Sequence, residues 1–535
     1  MTRQLSDAMI NTSRLDVTTS NSELSKMEVE DYVSQVRANW RNVGMAVAVV
    51  KGSEIVYAGG FGTRQWGESP KIDSNTLFQV GSTTKAFTTA AFAILVEEGV
   101  LRWDDPVVQY LPTFRLSDPW LTENLTLRDL LAHRGGIRDS LLPFLGVMNA
   151  EESIRQLRYR KPDAPFRDSF CYSNLMYAAA GRVLEVVTNM PWGQFVREKL
   201  LRPLKMDRSL TSPIECWNPE HVTESFFGSA RSSGCSIHVA RDSNVAMPHA
   251  WDAQGSRVIL PWQSYNNAAA AGSLISSVSD MANWLILNVN EGRFCGRQLL
   301  SPGMIRVLHA PQNLHSVNQF PYAAETESYA MGWFRSEHAG QVQLEHGGGI
   351  IGFPAYMAVL PKRRVAVVVL SNGSQHASEK LTLPFKLGLN KSVAFWVFDR
   401  LLSLPPRDWS REFLTRARNE ELEMQRQEVR VRATQLPNVP PSLPLEKYAG
   451  AYQDPCDGSS RVDICIGEGV LFLKFMGSCA YDARLEHWHQ DLFRVRSKVG
   501  ATDSLGGRFV TFKVDSAGMV ESLSVADTTL QRMLG

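Results

Sequence analysis

The sequence predicts an α+β fold: an antiparallel sheet flanked by helices, followed by a small, separate C-terminal β-barrel domain. Three observations carry this prediction. Two β-rich hairpins stand far apart in the chain. One pairs 45–50 with 54–57 around Lys51-Gly52-Ser53, and the other pairs 356–360 with 365–370 around a polar turn. Between them lie helical stretches, the strongest being TTAAFAILVEEG, closed by Gly99. After the proline-rich LPNVPPSLP, five short β-rich runs follow one another, separated by glycine and Asp/Ser turns. The chain has 535 residues, 44% of them hydrophobic, which is ample for a core and too long for one ordinary domain.

In chain order, residues 1–25 are polar, lack the apolar segment of a signal peptide and read as a disordered tail. Helical spacing over 26–40 opens a first domain over 26–405. Residues 406–440 form a connector, in which the charge-rich 409–433 reads as a solvated helix and the prolines that follow as a stiff linker. Residues 441–535 are the β domain, with strands expected at 461–466, 470–475, 492–495, 509–514 and 520–525. Residues 205–265, rich in aromatics, Ser and Asn, read either as long loops shaping a pocket or as a plain surface insertion.

Composition excludes several classes. The formal net charge is +1, from 56 basic and 55 acidic residues, which gives no reason to expect nucleic acid or a charged membrane surface as partner. No apolar run reaches the length of a membrane span. The seven cysteines are scattered without C-x-x-C spacing, so they read as free thiols and, with no signal segment, point to a cytoplasmic protein. His487-Trp488-His489 is an H-x-H with no third ligand in view, so no metal is expected.

HGGGIIG, from His346 to Gly352, fits the G-x-G-x-x-G dinucleotide fingerprint. A phosphate loop must open a helix. Here the hairpin sequence FPAYMAVL follows, with Pro354 inside it, and no Lys-Ser/Thr follows the glycines. The preceding residues 341–344 read as a short strand. The glycines are therefore expected at a strand edge, where a ligand or another backbone approaches closely.

Ser82 opens the strong helix and Lys85 lies three residues on, on the same face. A serine at a helix N-terminus is placed to have developing negative charge stabilised. A lysine pinned among apolar neighbours has a lowered pKa and can act as a base. The plain alternative is a helix cap and a surface lysine, but Lys85 stands among Val80, Ala86 and Phe87. Tyr172 and Asn174 precede an Ala-rich helix; a tyrosine can shuttle protons and an asparagine can orient an amide or hold the lysine. Tyr265-Asn266-Asn267 has the same Y-x-N form. The glycines after His346 would let backbone N–H groups reach a substrate oxygen, as an oxyanion hole requires.

In this order, Ser82-x-x-Lys85, Tyr172-x-Asn174 and His346-x-Gly348 resemble the three motifs of the serine β-lactamase and penicillin-binding-protein superfamily. The interval from Ser82 to Tyr172 resembles class C β-lactamases and their esterase, D-aminopeptidase and transesterase relatives; Tyr265 is too far along for that role. LRDLLAHRGG (127–136) resembles the family's LLxHxSG segment, and AGSLISS (271–277) its GGLxST turn. LEKYAGAY (445–452) resembles the start of the lipocalin-like domain appended to many microbial members. The resemblance implies an acyl-enzyme on Ser82, with Lys85 and Tyr172 moving the proton. It implies an oxyanion hole from the N–H groups of Ser82 and Gly349, substrate contacts from Asn174, His346 and Gly348, and no metal or other cofactor. Two positions depart from the pattern. His346 replaces the usual lysine, and a neutral imidazole binds a carboxylate less well, which favours ester or amide substrates over β-lactams. Arg134 stands where threonine is frequent.

The expected activity is that of a serine hydrolase acting on an ester or amide of a small molecule or short peptide. An acyltransferase, resembling lovastatin-type transesterases and needing an acyl acceptor, would use the same residues. A non-catalytic binding protein on the same fold is the reading from another class. The oligomeric state is left open.

Overall fold

The structure is a computed structural model that describes residues 24–139, 149–215, 222–223, 243–251, 256–315, 327–373, 388–436, 438–455, 461–475, 481–496, 507–525 and 528–533. Residues 1–23 of the tail expected over 1–25, the stretches 216–221, 224–242 and 252–255 of the loop-rich part 205–265, and four of the seven cysteines lie outside them. Cys171, Cys295 and Cys465 are free thiols.

The main sheet has eight antiparallel strands: β1 (Gly44–Lys51), β2 (Glu54–Gly62), β3 (Asn313–His315), β4 (Glu327–Tyr329), β5 (Phe334–His338), β6 (Gln341–Ile350), β7 (Phe353–Leu360) and β8 (Val365–Ser371). Their spatial order is β3-β4-β5-β6-β7-β8-β1-β2, so the two hairpins read from the sequence meet where β8 pairs with β1. The central strands are buried on both sides, and period-two alternation sends successive residues into two cores. Met45, Val47 and Val49 of β1 share one core with Val365, Val367 and Val369 of β8. Val29, Val33 and Val36 of helix α1 (Lys26–Asn39) cover that face at i, i+4 and i+7. Leu389 and Val393 of a later helix, Gly388–Leu401, join them. Ala46, Ala48 and Val50 point the other way, with Ala366, Val368 and Leu370, toward helices α2 (Thr84–Glu97), α3 (Asn174–Thr188) and α4 (Val278–Val289). Helix α2 is buried on every side from Thr84 to Leu95, which is why its sequence is apolar all round.

The strand expected at 341–344 is longer than the sequence suggested, because β6 runs straight through the glycines to Ile350. Strand β5 pairs with it only as far as Glu345, so among the described residues 346–350 pair with β7 alone and the other edge is open. The backbone of Val80 and Gly81 packs over the face of this stretch. A Cβ at Gly348 would sit 1.9 Å from the Val80 carbonyl oxygen, and one at Gly81 would sit 2.8 Å from the Gly349 nitrogen. These two glycines allow a contact that no side chain permits.

Helix α5 is Gly388–Leu401, and α6, Trp409–Arg432, is the charge-rich connector helix. Ser410, Phe413 and Ala417 anchor its first half on the first domain, and Glu428 in its second half accepts two hydrogen bonds from Arg494 of the β domain. That domain is a closed eight-stranded barrel. The five foreseen strands are joined by Gly450–Gln453, Tyr481–His489 and Thr528–Arg532, and the first of these pairs with the last to close the ring. Closure leaves no unpaired strand edge.

Candidate active site

One turn of 3-10 helix, Gly81–Thr83, leads into α2 and leaves Ser82 partly exposed. Lys85, one turn on, is fully buried. Its Nζ donates to three neutral oxygens: Ser82 Oγ at 3.2 Å, Asn174 Oδ1 at 2.6 Å and the Ala271 carbonyl at 2.9 Å. Those three acceptors match the three donors of an ammonium. The nitrogen also lies 4.7 Å and 5.2 Å from the ring centres of Tyr172 and Tyr177. Burial pushes the Lys85 pKa down to about 7, and the Asp139 charge only partly opposes it.

The segment 269–274 is fastened to the first turns of α2. Thr88 Oγ1 donates to the Ala270 carbonyl at 2.7 Å, and Thr84 Oγ1 accepts from Leu274 N at 3.1 Å. This holds the Ala271 carbonyl on the lysine. Tyr265, set aside by its spacing, is buried beside this segment, its ring 3.4 Å from where a Cβ at Gly272 would stand.

Tyr172 and Asn174 flank Ser173, the N-cap of α3, whose Oγ accepts from Met176 N. The Tyr172 hydroxyl hydrogen-bonds with Ser82, and burial raises its pKa, so it stays a phenol at neutral pH. Its ring lies 4.4 Å from that of His133. His133 Nδ1 accepts from Ser173 N at 3.1 Å, which puts the proton of the neutral ring on Nε2. Burial, then Lys85, holds the His133 pKa well below its ordinary value.

His346 is buried with both ring nitrogens engaged. Nδ1 donates to the Gly347 carbonyl at 2.7 Å and Nε2 accepts from Tyr329 Oη at 3.2 Å. Burial, then Lys85, pushes its pKa down to about 3, so it is neutral. It supplies no cation for a substrate carboxylate, and in this arrangement no free nitrogen either. Gly348 and Gly349 lie on the open edge of β6, against Gly81 and so beside Ser82. The two N–H groups expected to form an oxyanion hole thus sit on adjoining backbones.

The structure therefore gathers Ser82, Lys85, Tyr172, Asn174 and the β6 glycines at one place, with His346 behind them. Sequence reasoning missed Tyr177, Tyr329 and above all Asp139. Tyr177 could have been found as the residue three beyond Asn174 on one helix face. Asp139 had no signal, being one carboxylate in a loop. Among the described residues, no group of three or more His, Cys, Asp or Glu could hold a metal, and no helix is long and apolar enough to cross a membrane.

The family model described as Beta-lactamase matches residues 29–386. The chain belongs to the beta-lactamase family. That membership places it among the hydrolases of the penicillin-binding-protein and β-lactamase superfamily. A second model, for a domain of unknown function (DUF3471), matches 434–534, the barrel. The chain is similar to an unguisins hydrolase of Aspergillus campestris, at 29% identity over 445 residues, covering 79% of this chain and 75% of that protein. It shares its fold with an octameric penicillin-binding protein homologue from Pyrococcus abyssi. The TM-score is 0.59 at 22% identity, over 95% of this chain and 100% of that one. A D-stereospecific amidohydrolase from Streptomyces sp. aligns with TM-score 0.51 at 20% identity, over 66% of this chain and 96% of that one.

Proposed function

We propose that the protein is a serine hydrolase that forms an acyl-enzyme on Ser82 and cleaves an ester or amide of a small molecule or short peptide. The observation that carries this is the buried Lys85 Nζ, 3.2 Å from Ser82 Oγ and held there by two further neutral acceptors. With its pKa lowered to about 7, Lys85 has a neutral form accessible near neutral pH. A neutral amine keeps two N–H donors. Asn174 Oδ1 and the Ala271 carbonyl take those two, and the lone pair is left facing the Ser82 hydroxyl.

Lys85 removes the Ser82 proton as Oγ attacks the substrate carbonyl. The N–H groups of Ser82 and Gly349 receive the oxyanion. Tyr172, a phenol rather than a phenolate, relays a proton to the leaving group and is reprotonated from Lys85. Water then attacks the acyl carbonyl, giving its proton back through the same groups, and Ser82 is released. The unguisins hydrolase among the similar proteins supports a hydrolytic reaction, and the D-stereospecific amidohydrolase that shares the fold is in keeping with an amide substrate.

A fluorophosphonate and a panel of activated esters, read by intact mass, test this. Wild type is expected to gain one adduct and Ser82→Ala none, with the wild-type labelling rate rising as pH passes through about 7. Equal labelling of Ser82→Ala would overturn the assignment. An ester adduct released only on adding an alcohol or amine would turn the reading from hydrolysis to acyl transfer.

A further inference from the structure

We propose that Asp139 is a positioning residue for acylation: it fixes the Asn174 carboxamide so that its oxygen, and not its nitrogen, faces Lys85. The inference rests on the acyl-enzyme reading and adds to it a residue outside the three sequence motifs.

Four donors converge on this one carboxylate. Oδ1 accepts from Ser173 Oγ at 2.6 Å and Leu175 N at 3.0 Å; Oδ2 accepts from Asn174 N at 2.6 Å and Asn174 Nδ2 at 3.0 Å. Ser173 Oγ already accepts from Met176 N, so its proton points at Asp139. With two donors on each oxygen, a protonated carboxyl would have no acceptor there for its proton. Burial raises its pKa above the ordinary carboxylate value, and these hydrogen bonds and Lys85 only partly oppose that.

The Asn174 side chain bridges two opposite charges. Its Nδ2 meets the Asp139 carboxylate and its Oδ1 meets Lys85 Nζ at 2.6 Å. A flipped amide would set –NH2 against the ammonium and C=O against the carboxylate, both repulsive. Asp139 thus determines the amide orientation, and the amide holds Lys85 with its third valence on Ser82. The loop that carries Asp139 is itself pinned. The Gly136 carbonyl accepts from Asp163 N and Ala164 N, and Arg138 N donates to Asp163 Oδ2 at 2.8 Å. A Cβ at Gly136, where φ is +71°, would lie 2.4 Å from the Ala164 carbonyl oxygen.

The groups that face Lys85 from the surrounding elements are Tyr172 and Tyr177 beside and on α3, His133 and Asp139 on the preceding loop, and His346 on β6. The two histidines are neutral and burial keeps the tyrosines protonated. Asp139 is the negative charge among them, and it stabilises the ammonium. Removing that charge moves the Lys85 titration to lower pH. A residue that merely caps α3 would change folding without moving that titration.

The test has two readouts on wild type, Asp139→Asn and Asn174→Ala. The first is the acylation rate with an activated ester across pH. The second is the titration of Lys85 followed by NMR of [ε-13C]lysine protein, which needs no activity. Asp139→Asn is expected to acylate about 10- to 100-fold more slowly, as a misplaced reacting group does, and to shift both the acidic limb and the Lys85 titration to lower pH. Asn174→Ala keeps the backbone bonds to Asp139, and is expected to lose acylation to a similar extent. If Asp139→Asn does not fold, wild-type acylation in Asn174→Ala overturns the proposal by itself. Unchanged rate and unchanged Lys85 titration in Asp139→Asn overturn it directly. If wild type forms no adduct, the acyl-enzyme reading fails, and the Lys85 titration alone decides whether Asp139 governs the lysine.

Discussion

Two lysines are buried on opposite faces of the main sheet, each over a tyrosine ring, and they differ in what answers their charge. Lys391 of α5 lies 5.3 Å from the centre of the Tyr356 ring, with Glu345 Oε1 2.9 Å from its Nζ. Lys85 of α2 lies 4.7 Å from the Tyr172 ring, with a hydroxyl, an amide oxygen and a peptide carbonyl around it. Neutral acceptors satisfy an ammonium geometrically, and the Asp139 charge, reached only through Asn174, offsets desolvation in part, so the Lys85 pKa falls. One strand serves both sites. Glu345 and His346 are neighbours on β6, and the pleat sends one to each face. What separates the two lysines is the charge of the groups in contact with them and not their depth.

The largest effect expected from breaking this contrast is at Glu345. Its carboxylate also accepts from Gln343 Nε2 at 2.8 Å and from the Tyr356 hydroxyl. Glu345→Gln leaves Lys391 buried without a counter-charge, and should cost about 3–5 kcal/mol in urea unfolding while the folded fraction still labels at Ser82. Replacing both partners, Glu345→Leu with Lys391→Met, should cost much less than the sum of the singles. A wild-type midpoint for Glu345→Gln would mean that Lys391 needs no carboxylate in contact with it.

The next effect belongs to Lys85 and has a definite sign. Its folded pKa, about 7, lies below the ordinary 10.5. Between those values the unfolded chain holds a proton that the native protein has released, so native stability rises with pH across that window and is penalised below it. Going from pH 7 to pH 9, the stability of wild type relative to Lys85→Met should move by about 2 kcal/mol in favour of wild type. A difference that stays flat would put Lys85 near its ordinary pKa and remove burial among neutral acceptors as a device that lowers it.

The two sites were not equally legible. Ser82 and Lys85 can be read because a serine three residues before a lysine opens a helix apolar on all sides, and only a buried helix has that sequence. The hairpins can be read from β-rich runs around polar turns. The length of β6 cannot, because glycine is a poor strand former; pairing with β7, Gly349 opposite Pro354, supplies what propensity lacks. Three barrel strands were missed for similar reasons. Gly450–Gln453 and Thr528–Arg532 are short, and in Tyr481–His489 the register shifts between His487 and His489, which blurs the alternation. Asp139 and the Glu345–Lys391 pair are long-range contacts made by single residues, and no local period announces them.

The smallest effect sharpens the comparison from outside the core. Lys199 also stands over an aromatic ring, 5.9 Å from the centre of Phe195, and its Nζ is 3.0 Å from Glu98 Oε1. That separation nearly equals the 2.9 Å of Lys391 and Glu345, but these side chains are 41% and 45% exposed against 8% for each buried partner. Water solvates both charges before and after the pair forms, and salt screens what attraction is left. Glu98→Gln should therefore change stability by less than about 1 kcal/mol, and by less still in high salt. If it instead cost as much as Glu345→Gln, contact distance and not desolvation would set the strength of these pairs. The low pKa of Lys85 would then need a cause other than its neutral, buried surroundings.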